Sequence, residues 1–422
     1  MAKIHFITQG CSANVADSEV MMGLLEERGD ELVDNSNDAD IVVFNTCTVK
    51  NPSVTSFQRN LKELKQKYPE KKIIIAGCIS QAEPKNYLEY SRIGTYQIKN
   101  IAKMVDETLK GNQVAFLERN DKGRLNIPKI RKNNLIEITS ILMGCKSNCT
   151  FCKTKHARGN AVSYPVKDIV RHVSKSVEEG AREIWLTSQD NAVYGMEFNS
   201  SLAKLLKEIV SIDRDFKVRV GMGNPKYMLP FLDKLISVMK NPKIFKFIHI
   251  PLQSGSDKVL EDMKRGYKAE DFVKIVSEFR KEIPEISIAT DIICGFPTET
   301  EKDFEETLKI INKTRPDMIN YSRFWPRPGT PAAKMKQVDG REAADRCRII
   351  MNLFKKIAKE NNQKLINKKY KILITEKGKN NTWIGKNDSY KQIIVNGNLK
   401  VGNEVSVKIK DASAVDLKGE LI

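Results

Sequence analysis

Histidine is scarce in this chain, and long apolar runs are missing altogether. The 422 residues include four histidines, His5, His156, His172 and His249, and no two of them share a metal-binding spacing. None is assigned a ligand role, which removes the usual histidine-based zinc and iron patterns. The most apolar short stretch is IIIAGCI, Ile73 to Ile79, far below the ~20 residues that a spanning helix needs. The ends, MAKIHFITQG and DLKGELI, carry neither a signal peptide nor a lipidation motif, so a soluble, cytoplasmic protein with no membrane partner is expected.

Acidic residues are also in deficit. The chain has 53 Asp and Glu against 71 Lys and Arg, a formal net charge of +18. One reading is a lysine-rich solvated surface. The other is a polyanionic partner, because Lys and Arg placed near phosphates release counterions. Eight cysteines without a secretory signal point to reduced thiols, and clustered ones to metal rather than disulfides.

The length implies several domains. Residues 1–117 alternate between β-branched runs (KIHFITQG, DIVVFNTC, KKIIIAGC) and polar or helical stretches such as DSEVMMGLLEERG. That alternation predicts a small parallel α/β sheet. ERNDKGRLNIPKIRKNN, from Glu118 to Asn134, is charged and aperiodic and reads as a connection. Residues 131–368 hold six strand candidates: EITSILMG, EIWLTSQ, KVRVGMGN, FKFIHIPLQ, ISIATDIICGF and MINYSRFW. Six βα units are too few to close an eight-stranded barrel, so an open, partial (β/α)6 barrel is expected. A helix over 342–368 leads out of it. Residues 369–422 change to short strands separated by turns such as NG and VGNE, which predicts a small all-β barrel. Between residues 351 and 422 there are 15 Lys and 7 acidic residues, so this tail is a basic module tied to the rest by one helix.

MGCKSNCTFCKTKHARG places Cys145, Cys149 and Cys152 within eight positions, with no fourth cysteine or histidine at ligand spacing. Structural zinc takes four protein ligands, and so does an ordinary iron–sulfur cluster. Three thiolates on a four-iron cluster leave one iron open to a substrate or cofactor, which is a catalytic arrangement. The triplet follows the first central strand at its C-terminal edge, where barrel enzymes keep their chemistry. Zinc stays open on cysteine count alone, although CxxxCxxC with Phe151 before the last cysteine is unusual for it. A second set is spread more widely: Cys11, Cys47 and Cys78 lie 36 and 31 residues apart, each at the end of a candidate parallel strand. Each alone reads as a small buried residue; together, at equivalent strand ends, they read as a second three-thiolate site. Cys294 and Cys347 have no such companions and read as core residues.

The CxxxCxxC stretch resembles the radical S-adenosylmethionine (SAM) signature. With TQGCSANVADSE, FNTCTV, AGC, LTSQDNAVYG, HIPLQSGSDKVLEDMKRGY, ATDIICGFPTET and RPGTPAA, the whole chain resembles the radical SAM methylthiotransferases. CTFCKTKHARG is similar to the archaeal- and animal-type branch acting on N6-threonylcarbamoyladenosine in tRNA, and the absence of the animal form's apolar tail favours the archaeal type. The resemblance implies an N-terminal methylthiotransferase domain, a SAM barrel and a TRAM-type RNA-binding barrel. It implies two [4Fe–4S] clusters: one on Cys145, Cys149 and Cys152 that binds and cleaves SAM, and one on Cys11, Cys47 and Cys78 that carries the sulfur to adenine C2. It also implies an electron donor, a sulfur source and a tRNA anticodon stem-loop as partners, and no side chain acting as a classical acid or base.

For SAM contacts, Phe151 resembles the position whose backbone meets the adenine. Ser188, Gln189 and Asp190 end the second central strand, and Gln253 and Ser254 the fourth, so they are expected at the same mouth. Gly295 would permit close backbone approach to the cofactor. The alternative for each is a polar loop residue satisfying local hydrogen bonds. Arg158 could meet a phosphate or a cofactor carboxylate and stays unassigned. The competing functions are methylthiolation of isopentenyladenosine, methylthiolation of a ribosomal protein, and a non-catalytic, metal-stabilised RNA-binding protein.

Overall fold

The computed structural model describes residues 1–48, 51–120 and 123–422. Six parallel strands open the chain: Lys3–Thr8 (β1), Glu31–Leu32 (β2), Ile41–Thr46 (β3), Lys72–Gly77 (β4), Ser91–Gly94 (β5) and Ala115–Phe116 (β6). They form one sheet in the order β2-β1-β3-β4-β5-β6. The three long strands marked by the sequence, β1, β3 and β4, are therefore immediate neighbours. β3 is buried throughout, as its unbroken IVVF run requires of a parallel strand covered on both faces. Val20, Met21, Leu25 and Met104 cover one face of this sheet, and Phe57, Leu61 and Leu64 the other.

The charged segment from Glu118 to Asn134, of which Asp121 and Lys122 lie outside the described residues, is a clamp rather than a loose connection. Arg124 is buried, and its Nε donates to Asp17 Oδ1 at 2.8 Å. Lys129 pairs with Glu19 at 3.1 Å, and Arg131 with Glu137 at 2.8 Å. A charged, aperiodic sequence does not mean a solvated one when each cation meets a buried carboxylate.

The central strands are Ile136–Ser140 (β7), Leu142–Met143 (β8), Val162–Ser163 (β9), Glu183–Thr187 (β10), Lys217–Val220 (β11), Phe247–His249 (β12), Ser287–Cys294 (β13) and Met318–Arg323 (β14). β8 and β9 make a short antiparallel pair. The other six match the six expected strands. They form two parallel sheets, β7-β10-β11 and β12-β13-β14, linked by a parallel bridge between Val218 and Ile244. The outer face packs Ile184, Val218, Ile248 and Ile288 under the helices through Leu205, Leu206, Phe272 and Phe279. On the inner face, Ile136, Ile138 and Trp185 receive Val15 and Ala16 of helix Ser12–Glu27. The N-terminal unit thus covers the inner face of the partial barrel beside β7.

The outgoing helix is Gly340–Gln363, shorter at its end than the expected 342–368. Asn367 then turns the chain with φ 69°, a left-handed conformation that Asn tolerates. The tail strands Lys369–Lys377 (β15), Thr382–Lys386 (β16), Gln392–Asn396 (β17), Glu404–Ala412 (β18) and Leu417–Leu421 (β19) close a barrel in the order β15-β16-β17-β19-β18.

The structure corrects the expectation that one helix alone ties this tail to the rest. Its 387–391 segment plugs the central barrel at the N-terminal ends of the strands. Tyr390 lies 5.0 Å from both Phe245 and Phe247 and 6.3 Å from Trp185, ring centre to ring centre. The Arg219 guanidinium is 5.3 Å from the same Tyr390 ring. Ion pairs surround the plug: Lys386 to Glu183 at 3.2 Å, Lys391 to Asp317 at 2.8 Å and Lys217 to Asp388 at 2.6 Å. Removing the tail would bare this aromatic floor. Tyr390→Ala is expected to cost on the order of 3 kcal/mol, the scale of an aromatic lost from a packed site. Denaturant unfolding of the full chain checks this; a midpoint unchanged from the parent would show that the plug contributes no stability.

Candidate functional site

The N-terminal site is built from three strand ends. Cys11 follows β1 and caps helix Ser12–Glu27, Cys47 follows β3, and Cys78 follows β4 and begins the short helix Cys78–Ala82. Because β1, β3 and β4 are adjacent, the three thiols meet at the C-terminal edge of the sheet, next to the point where strand order reverses. Asn14 ties them together. It accepts from Cys11 Sγ at 3.4 Å, and its Nδ2 donates to Thr46 O at 2.8 Å with Cys78 Sγ 3.9 Å away. Gly10 allows the closure: at φ 133°, a Cβ there would stand 2.7 Å from Cys47 Cβ.

The second site hangs from β8. Cys145 N donates to Gly159 O at 3.1 Å, and Cys152 N to Cys149 O at 3.1 Å, so the loop folds on itself. Its sulfurs already have donors. Arg265 Nη1 is 3.1 Å from Cys149 Sγ, and Thr154 N is 3.4 Å from Cys152 Sγ. Burial pushes the Cys78 thiol up to about 11 and the Cys145 thiol up to about 12. Free in such surroundings they are neutral thiols, and a bound metal would be needed to hold them as thiolates.

Both sets fit an iron–sulfur cluster on these grounds: three thiols, a buried guanidinium beside each set, and N–H groups aimed at sulfur. A structural zinc ion takes four protein ligands, and each set offers three thiols; no three His, Cys, Asp or Glu among the described residues are arranged around a single metal ion.

The two sites face each other across the domain boundary. Arg158, six residues after Cys152, is 4% exposed and pairs with Asp17 at 2.7 Å, beside Cys11 and Cys78. Its partner in the structure is this carboxylate. Lys153 pairs with Glu83 at 2.6 Å, and Thr95 Oγ1 donates to Ala157 O at 2.6 Å. Arg327 is buried between the triplets. Burial lowers its affinity for a proton, while Cys47, Glu83 and Cys152 act in the opposite direction.

The expected SAM contacts divide into three groups. Phe151 and Gln253 line a cavity of about 470 Å³ together with Cys152. Gln189 and Asp190 brace the cysteine loop: Gln189 Oε1 accepts from Gly144 N at 2.7 Å, and Asp190 accepts from Asn224 N at 3.0 Å. Burial raises the Asp190 carboxyl to about 6. Three others are engaged locally. Ser188 bonds Asn191 and accepts from Asp190 N. Ser254 is fully buried against Thr307 and Ser256. Gly295 has φ 73°, and a Cβ there would meet Ala343 Cβ at 2.5 Å, so helix packing accounts for this glycine. Cys294 is buried, as expected, while Cys347 is partly exposed.

Sequence reading missed Asp17, Arg265 and Arg327. All three stand in stretches already marked by resemblance, TQGCSANVADSE, KRGY and RPGTPAA; what no local signal gives is Asp17's pairing, because its partners Arg124 and Arg158 lie more than a hundred residues away.

Residues 3–95 match a family model described as Uncharacterized protein family UPF0004. Residues 139–311 match the Radical SAM superfamily, and residues 363–422 the TRAM domain. A human protein named threonylcarbamoyladenosine tRNA methylthiotransferase is 40% identical over 99% of this chain and 74% of its own length. The Drosophila melanogaster protein of that name is 42% identical over 100% of this chain and 78% of its own. A Pyrococcus horikoshii relative, named "Probable threonylcarbamoyladenosine tRNA methylthiotransferase", is 37% identical over 100% of both chains. Among solved structures, the radical S-adenosylmethionine methyltransferase TsrM from Kitasatospora setae shares the fold, with TM-score 0.59 and 14% identity over 79% of this chain and 75% of that one.

Gly10→Ala tests the first site's geometry. The added methyl is expected to block uptake of iron at Cys11, Cys47 and Cys78 while the second triplet fills, roughly halving the iron bound after anaerobic reconstitution. An iron content equal to the parent's would contradict the packing described for Gly10.

Proposed function

The chain belongs to the threonylcarbamoyladenosine tRNA methylthiotransferases, and from that premise we propose that it converts N6-threonylcarbamoyladenosine beside the anticodon to its 2-methylthio derivative. The observation that carries this reading is the pairing of two incomplete cysteine triplets, on separate domains, across one interface that includes Arg327. When bound, a [4Fe–4S] cluster with SAM at Cys145, Cys149 and Cys152 supplies the radical able to open the adenine C2–H bond, and a second cluster on Cys11, Cys47 and Cys78 supplies the sulfur.

The chain's own residues position, balance charge and exclude water. Arg265 and Thr154 hold the sulfurs of the second triplet, and Arg158 sets a cation beside the first. Such hydrogen bonds and nearby charges are the means by which a protein tunes a cluster. Phe151 and Gln253 face the cavity beside Cys152, where SAM and the base would meet; Gln189 and Asp190 act through the loop they brace. Ser188, Ser254 and Gly295 shape the neighbouring turns.

In this reading residues 1–117 carry the sulfur-donating site, residues 131–368 the SAM site, and residues 369–422 the grip on RNA. The tail's seat at the opposite end of the strands from the cysteines makes it a grip on the anticodon stem, whose phosphates give affinity without sequence information. The modified base, in a loop, is splayed toward the mouth at modest cost. An electron donor and a sulfur source come from outside the chain. No helix among the described residues is long and apolar enough to cross a membrane, and a tRNA substrate suits the cytoplasm.

The test separates the two halves of the chemistry. Under anaerobic conditions with SAM and reductant, the parent should form 5′-deoxyadenosine and a methylthio nucleoside, detected by mass spectrometry of digested tRNA. With Cys11, Cys47 and Cys78 changed to Ala, 5′-deoxyadenosine should persist and the methylthio product vanish; with Cys145, Cys149 and Cys152 changed, both should vanish. Methylthio product from either triple variant would refute the assignment, and product on isopentenyladenosine alone would move the substrate.

A further inference from the structure

The two triplets account for six of the eight cysteines and leave Cys294 and Cys347 without a role. These two are far apart in the chain and adjacent in the fold. Cys294 ends β13, and the outgoing helix Gly340–Gln363 packs across β13 and β14. The approach is close: a Cβ on Gly295 would meet Ala343 Cβ at 2.5 Å, and Ala343 stands one helical turn before Cys347 on the same face. Arg346 fixes the helix further, since its buried guanidinium pairs with Glu299 at 2.7 Å. Within this contact the sulfurs of Cys294 and Cys347 share a hydrogen bond.

The two thiols are not alike. Cys294 is fully buried, whereas Cys347 is partly exposed. The shared bond raises the Cys294 thiol and burial adds to the shift, so Cys294 keeps its proton. The same bond lowers the Cys347 thiol; burial opposes that shift, and the Arg323 guanidinium supports it. Arg323 is exposed on β14 as the direct cross-strand partner of Cys294. The acidic neighbour, Glu299, works against a thiolate at either position and is itself held by Arg346. A partly exposed thiol beside a cation, with a second thiol in contact behind it, is the setting of an oxidisable cysteine pair.

We propose that Cys294 and Cys347 form a reversible disulfide when the protein meets an oxidising small-molecule disulfide, Cys347 attacking first and Cys294 resolving. In the first step the Cys347 sulfur attacks one sulfur of the reagent, whose S–S bond breaks, and one half leaves as a thiolate. In the second, Cys294 attacks the Cys347 sulfur and the other half leaves; the protons of the two cysteines pass to the departing thiolates. One small disulfide is reduced to two thiols, and two cysteine thiols are oxidised to one disulfide. The new bond ties the helix that carries the tail to a strand of the central sheet.

Peptide mapping without reduction tests it. Reconstituted holoenzyme, kept anaerobic and free of reductant, is treated with glutathione disulfide, alkylated and digested. The parent should yield a cross-linked peptide pair containing Cys294 and Cys347, and dithiothreitol should return both thiols. Cys294→Ser should stop at a mixed disulfide between Cys347 and glutathione, and Cys347→Ser should leave Cys294 unmodified. Arg323→Gln should slow cross-linking by about five-fold, as the thiolate fraction at Cys347 falls. A parent that forms no such cross-link, or that stops at the mixed disulfide, overturns the proposal. So does a Cys347→Ser variant whose Cys294 reacts as fast as Cys347 does in the parent, or an Arg323→Gln variant that cross-links at the parent's rate.

Discussion

One buried carboxylate holds the two halves of the site in register. Asp17, 1% exposed, lies on the helix that begins after Cys11, and it takes Arg124 from the connecting segment and Arg158 from the helix after Cys152. Burying such a trio yields little net stability, because desolvation offsets the attraction, but removing one member costs about 3–5 kcal/mol. Its worth is therefore geometric. Three segments distant in sequence have one low-energy arrangement, and that arrangement sets the first triplet opposite the second.

The partial barrel is thus covered at more than one place. Val15 and Ala16 of the first domain pack on its inner face beside β7, and Tyr390 of the tail fills the floor at the N-terminal strand ends. The C-terminal mouth keeps the cavity beside Cys152. An open six-unit barrel leaves inner-face side chains such as Trp185 and Phe247 in need of cover, and the neighbouring domains supply it. The tail is accordingly both a basic module and a structural stopper, which couples any grip on RNA rigidly to the catalytic mouth.

Much of this was legible because its signals are short-range. CxxxCxxC needs only eight residues, the six central strands and five tail strands announce themselves by apolar runs, and Cys11, Cys47 and Cys78 each end such a run. Four short strands, β2, β5, β6 and β9, lay below that threshold: two or four residues cannot display a period. What stayed hidden is long-range. Nothing near Asp17 foretells Arg124 or Arg158, and Tyr390 reads as the first residue of a tail strand, YKQIIVNG, until Phe245 and Phe247 meet it. Strand position puts Ser254 at the mouth and the lack of a side chain suggests Gly295 for close cofactor approach, yet the helices behind them, through Thr307 and Ala343, engage them first.

The central claim is that two clusters stand opposite each other across Arg327. Paramagnetic coupling tests it most directly. In the fully reduced protein, electron paramagnetic resonance should show the two cluster signals broadened by each other, and each should sharpen when the opposite cysteine triplet is replaced by alanine. Two signals that merely add, unchanged by loss of the other, would contradict the facing arrangement.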